Sequence, residues 1–270
     1  MRKAYYYAAL TVLVAFVVLA ALAPWVAPYD PNAQDLLSRL KPYSALHWLG
    51  TDEYGRDQLS RLIFGARVSL LAAVEVVAVG LLLGVPAGVL AGFFPGLIDG
   101  ALSRVSDALM SVPSLVLALT IVAVLGQGLA SAMFAVGIVF APRFFRVARA
   151  STYEVRQETF IEASFAIGCT WWRVAWRHVL PNAMSPLVVQ VAVVLGAAIT
   201  AEASLSFLGI GVQPPTASWG GMLSSAYQNL YEAAYLIWAP GIAIAVTVLA
   251  FTALGDEARI ALGTRQPVGA

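Results

Sequence analysis

Two carboxylates, Glu75 and Glu202, fall inside long apolar stretches of a chain in which 60% of residues are hydrophobic and 11% are charged. A charge at membrane depth is costly, so it usually faces a partner or a water-filled path. Thr200, Ser204 and Ser206 lie beside Glu202, and Gln190 stands about three helical turns earlier. This grouping suggests one polar helix face, which is either the lining of a translocation path or a hydrogen-bonded network at a subunit interface. Glu75 lacks comparable neighbours and is read as structural.

Outside the apolar stretches, Asp52, Glu53, Arg56 and Asp57 form a compact charge cluster. It could receive a partner protein, or it could cap and bridge the start of the following helix. Glu154, Glu158 and Glu162 recur at spacing four and would share one stripe of a continuous helix. Like charges at that spacing repel, so basic groups outside the helix are expected to face them. Trp172/Trp176 and Arg173/Arg177 repeat at the same spacing beyond Gly168, a residue suited to ending one helix and re-aiming the next. Pro181 is expected to open the following span.

Other chemistry is missing. Lys3 and Lys41 are the only lysines and neither follows a glycine-rich turn, so the chain has no phosphate-cradling lysine and would not hydrolyse ATP by itself. Cys169 is the single cysteine, and His47 and His178 lack metal-ligand spacing. No metal site, no catalytic residue and no cofactor is expected in the chain. Net charge is +1, with no basic patch to hold nucleic acid.

Mean hydropathy of +0.80 over 270 residues leaves too few polar side chains to cover a soluble surface. The sequence predicts an all-α, polytopic membrane protein with six spans, at about 8–27, 68–94, 107–125, 129–145, 184–205 and 233–254. The first is read as a retained anchor, because Pro24-Trp25 and Pro28-Tyr29 fit an interfacial exit better than a signal cleavage site. Boundaries are expected at 1–66 for the anchor and its polar extension, 67–258 for a five-span core, and 259–270 for a tail. A cytosolic loop is expected at about 149–181. With both termini inside, the inner side collects Arg2, Lys3, Arg104, the arginines at 143, 146, 149, 156, 173 and 177, Arg259 and Arg265. The outer loops hold Arg39, Lys41, Arg56, Arg61 and Arg67 against as many acids, so the basic bias favours this orientation.

Glu162-Ala163-Ser164, then Gly168, then His178-Val-Leu180-Pro181 closely resembles the "EAA" loop of ABC-importer permeases. Ser164 replaces the second alanine, and His178 stands where many members place isoleucine. The stretch His47-Trp-Leu-Gly-Thr-Asp-Glu-Tyr-Gly-Arg-Asp57 is similar to the C-type permease subunit of dipeptide and oligopeptide importers. So are Ser206-Phe-Leu-Gly-Ile-Gly-Val-Gln-Pro-Pro215, Trp219-Gly-Gly-Met-Leu223 and Leu249-Ala-Phe-Thr-Ala-Leu-Gly-Asp256. The resemblance covers nearly the whole chain and implies a type I ABC-importer permease fold in the membrane of a prokaryote. It also implies a second, different permease subunit, two ATP-binding subunits that hold ATP and Mg, and an extracytoplasmic substrate-binding protein. On this resemblance Glu162, Ala163, Ser164, Gly168, Leu180 and Pro181 would couple to an ATPase. Gln190, Thr200, Glu202 and Ser204 would line a path, and Asp52, Glu53, Arg56 and Asp57 would meet the binding protein. Nickel and glutathione importers share these motifs and stay open as alternatives. Rivals of another class are a proton-coupled secondary transporter using Glu75 or Glu202, and a membrane scaffold.

Overall fold

The structure, a computed structural model, describes residues 2–262; the tail beyond Leu262, with Arg265, lies outside the described residues. Among these residues the chain is helical, with one isolated bridge between Thr51 and Asp57. Helix α1 (Arg2–Ala21) is followed by a turn of helix, α2 (Ala23–Val26), and a long polar segment. Asp57 then starts α3 (Gln58–Phe93): its carboxylate accepts the Ser60 backbone N–H at 2.8 Å and the Ser60 hydroxyl at 2.7 Å, supplying an orphan donor with its partner.

Helices α4 (Leu97–Ser111) and α5 (Ser114–Leu125) meet at 97°. The bend corrects the expectation of one span over 107–125. Its cause is local: Val112 precedes Pro113 and is held extended at φ −92°, ψ 135°, because the proline ring clashes with a helical residue before it. The exposed α4 carries Asp99, Arg104 and Asp107, and α5 carries the apolar run. Helix α6 (Leu129–Arg156) also departs from expectation, running on to Arg156 instead of ending near Phe145. Arg146 bonds Asp107 at 2.8 Å and Arg149 bonds Asp99 at 2.7 Å, so arginines read as the start of a loop instead clamp α4 to α6.

The segment after α6 holds α7 (Thr159–Ala166) and α8 (Trp171–Val174), and a wide π-type turn over Ala175–Val179 leads into α9 (Leu180–Phe207). Pro181 has no N–H to offer the Arg177 carbonyl, which fits a widened turn here in place of a clean helix start. Ser218 caps α10 (Trp219–Gln228), accepting from Gly221 N at 3.1 Å, and α11 (Leu230–Ala233) leads through a tight turn into α12 (Trp238–Ala261).

Four stretches are long and apolar enough to cross a membrane: Gln58–Phe93, Leu129–Arg156, Met184–Phe207 and Leu230–Ala261. The α4–α5 pair has the apolar length of a fifth only when its two bent arms are taken together, and α1 contributes a shorter apolar helix, Tyr6–Ala21. The core sits where α3, α5, α6 and α9 meet, around Ala73, Val76, Met133, Phe144, Val194 and Ile199. Helix α1 is laid on its outside, with Ala9 and Leu13 against Ala250 and Ala253 of α12 and Phe16 edge-on to Trp219.

Candidate functional site

The segment between α6 and α9 divides as its composition predicts, at Gly168. This residue has φ +84°, a region that non-glycine residues rarely enter, and its N–H closes a turn onto Phe165 O at 2.9 Å. The buried anchor of helix α7 is Ile161, 1% exposed, which clusters with Phe93, Val174, Ala175 and Val179, while Phe165 meets the Phe93 ring and Phe160 the His178 ring edge-on. The face bearing Glu162 and Ala163 is bare. Glu162, Ala163, Phe165, Ile167 and Gly168 are exposed, Ser164 is half-buried with its hydroxyl turned back onto Phe160 O at 2.7 Å, and Pro181 is exposed beside half-buried Leu180. The acidic stripe is not continuous. Glu154 lies in the last turn of α6 and Glu158 sits extended at the start of α7, so only Glu162 belongs to the short helix. Beneath α7, Trp171, Trp172 and Trp176 stack edge-to-face and wall an apolar cleft of about 140 Å³ against Val85, Val89 and Leu180. Tryptophans in such a layer favour the headgroup level.

The polar residues of α9 separate onto two faces. Glu202 is fully buried, and its two carboxylate oxygens accept the Ser69 and Ser206 hydroxyls at 2.8 Å each. Ser69 Oγ in turn accepts the Trp219 N–H at 3.3 Å, and Ser206 Oγ accepts the Val212 N–H at 3.1 Å. Glu202 therefore ties α3, α9 and the start of α10 together. Thr200 is exposed, and Ser204 and Gln190 are half-buried, on another side of α9, so the polar face expected from the grouping does not include Glu202. Glu75 is half-buried on α3 and outside that network.

The charge cluster is a folded knot. Asp52, Arg56 and Asp57 are each 5% exposed or less. Asp52 takes Arg56 Nε at 2.7 Å and the backbone N–H groups of Tyr54 and Arg56 at 2.9 Å. Arg61 Nε approaches it at 3.4 Å. Besides capping α3, Asp57 binds His47 Nδ1 at 2.9 Å. Glu53 accepts the Ser225 hydroxyl of α10 and pairs with Arg56 at 3.5 Å. Arg61 donates to Pro31 O at 2.9 Å and Pro215 O at 3.3 Å, joining the polar segment to the loop before α10. All four residues offered as a protein contact are thus engaged within the chain, and the helix-capping alternative matches the geometry of Asp57.

Sequence reading missed Ser69 and Trp219 as partners of Glu202, Ile161 as the anchor of α7, and the glycines of α3 as a packing seam. Only the last left a local signal, since Gly80, Gly84, Gly88 and Gly92 repeat at spacing four.

Comparison with known proteins places this arrangement in context. The profile described as N-terminal TM domain of oligopeptide transport permease C matches residues 6–42. The chain is 39% identical over 248 residues to the probable D,D-dipeptide transport system permease protein DdpC of Escherichia coli K12, covering 92% of this chain and 83% of that protein. It is 43% identical over 249 residues to the di/tripeptide transport system permease protein DppC of Pseudomonas aeruginosa, covering 90% and 82%. It is 42% identical over 251 residues to the glutathione transport system permease protein GsiD of Escherichia coli O6:K15:H31, covering 93% and 83%. An inward-facing structure of the MetNI methionine ABC transporter superposes with a TM-score of 0.60 over 74% of this chain and 95% of that one; at 23% identity it shows the shared fold. The profile of the binding-protein-dependent transport system inner membrane component matches residues 84–259, and the chain belongs to that family.

Proposed function

We propose that this permease subunit carries small peptides inward, paired in a heterodimer with a second permease chain and driven by ATP hydrolysis on two partner subunits. Helix α7 is the docking element. The observation that carries this reading is its geometry: a short helix seated through Ile161, Phe165 and Phe160, with Ala163 and Glu162 bare and a positive-φ glycine behind it. ATP-driven closure of the partner subunits would push α7, and the Ile161 cluster would pass that displacement to the ends of α3 and α9. The peptide cargo is supported by the relatives, which are named for dipeptides, di- and tripeptides and glutathione. Family membership removes the proton-driven rival and the scaffold. Glu202 serves this machine as a tether between helices, and the face bearing Gln190, Thr200 and Ser204 is the one available to line a path.

Docking into a groove tolerates only small side chains at closest approach, since overpacking costs about 1–3 kcal/mol. Ala163→Trp is expected to abolish co-purification of the ATP-binding subunits or to uncouple hydrolysis from peptide uptake in proteoliposomes, with membrane insertion intact. Gly168→Val should act similarly through backbone strain, because no atom lies within 4 Å of the added Cβ. Glu162→Lys tests for basic groups on the partner. Full ATPase binding and full uptake in all three variants would make α7 a plain connector.

Orientation is proposed with both termini cytosolic, from the basic bias. Cysteines placed at exposed Gln157 and Gln213, with Cys169 replaced by serine, should label from opposite sides. Labelling of position 157 by an impermeant reagent in intact cells would reverse this topology.

A further inference from the structure

Arg143 sits in mid-α6, within a stretch long and apolar enough to cross the membrane. Its neighbour Phe144 packs against Gly80 and Gly84 of α3, whereas the tryptophan layer packs lower, against Val85 to Leu90. Arg143 therefore lies deeper than that layer. Arg146 and Arg149 on the same helix are matched to Asp107 and Asp99, but among the described residues no carboxylate pairs with Arg143. Its guanidinium lies 4.6 Å from the centre of the Phe140 ring, one turn back along α6. The exposed side chain thus lies back along α6 over Phe140, away from the Arg156 end.

The side chain borders a cavity of about 340 Å³ at the α4–α5 bend, walled by Met110, Val112, Pro113 and Val139, with Ser111 and Ser114 as its polar edge. The C-terminal end of α4 and the N-terminal end of α5 meet there, so their opposite partial charges offset and the guanidinium sets the sign. An unpaired intramembrane cation beside a cavity calls for an anionic visitor. The dipeptides, tripeptides and glutathione proposed as cargo all carry a free carboxylate, which matches the planar fork of arginine.

We infer that Arg143 forms an anion subsite on the transport path, taking the carboxylate of the peptide as it passes the bend. This rests on the peptide reading above. The test uses the assembled transporter with its binding protein in proteoliposomes, and radiolabelled alanyl-alanine, trialanine and glutathione as probes. Uptake is normalised to co-purified ATPase subunit. With Cys169→Ser as background, Arg143→Cys should lower uptake roughly tenfold or more, the scale of a lost charge-assisted hydrogen bond. Aminoethyl methanethiosulfonate, which restores a positive charge, should recover transport, and the sulfonatoethyl reagent should not. Arg143→Lys should keep most uptake while Arg143→Gln loses it. Unchanged uptake in Arg143→Cys, recovery regardless of adduct charge, or an introduced thiol that no aqueous reagent reaches would overturn the subsite. A wild-type complex that imports none of the three peptides would instead overturn the peptide reading.

Discussion

Gly88→Leu is expected to remove the folded subunit from the membrane, the largest effect of any single substitution considered for this chain. A Cβ at Gly88 would stand 2.5 Å from the Phe145 carbonyl oxygen and 2.8 Å from Ala148 Cβ, and at Gly92 it would stand 2.6 Å from the Arg149 carbonyl oxygen. These are atoms of the facing helix, most of them backbone, so no rotamer change relieves the clash. The helices must separate. Within a membrane, close van der Waals packing between helices replaces the hydrophobic drive that holds soluble helices together. Separating α3 from α6 would also release Phe144 and Val136 from the central core. The cost should exceed the roughly 1–3 kcal/mol of ordinary overpacking, because the displaced element is a whole helix. Proteolysis in membranes and ATPase co-purification would report it. Gly100→Ala is the control: this helical glycine has no atom within 4 Å of an added Cβ, and alanine should stabilise it by about 0.5–1 kcal/mol. Normal protein levels for Gly88→Leu would mean that α3 and α6 do not pack through this seam.

The seam illustrates what the sequence made legible. Signals that act within a few residues were readable: Asp57 beside Ser60 at a helix start, Gly168 between two short helices, and the long apolar runs. The bend at Pro113 was equally local, because a residue before proline avoids the helical region, yet the apolar run after it concealed the break. The two faces of α9 were also available from geometry. Residues two apart on a helix are turned by about 200°, which sets Glu202 across from Thr200 and Ser204. Proximity in sequence had masked that separation. The charge cluster needed more than spacing, since only the fold brings His47 onto Asp57 and Ser225 onto Glu53. Likewise Ser69 meets Glu202 across 133 positions, a pairing fixed by how α3 crosses α9. Helix α7 was recognisable by its order of small and acidic residues, whereas its buried anchor, Ile161, resembles every other aliphatic residue of the chain until Phe93 and Val174 are seen against it.

Glu202→Gln is expected to weaken the subunit without closing the transport path. Both carboxylate oxygens accept serine hydroxyls, and each serine oxygen is already an acceptor for a backbone N–H, from Trp219 or Val212. Glutamine offers one acceptor and one donor in the same space. One of the two hydroxyls must then lose its partner, and a buried unsatisfied group costs about 1–3 kcal/mol. Glu202→Leu should cost more, because both hydroxyls are stranded while the volume stays filled. The loss should appear as a lower midpoint in thermal unfolding of the detergent-solubilised complex, with Leu below Gln. Because the groups form one network, Ser69→Ala combined with Glu202→Gln should be non-additive, with a coupling of about 0.5–3 kcal/mol in a double-mutant cycle. Uptake per assembled complex should stay near wild type for Glu202→Gln at a temperature where it is folded, since this side chain has no exposed surface to offer a peptide. A Glu202→Gln complex with an unchanged midpoint and lost uptake would reverse the assignment and put Glu202 in the path. The tether works because Ser69, Glu202 and Ser206 satisfy one another in a place where water cannot, and removing any one leaves the others to bear the cost.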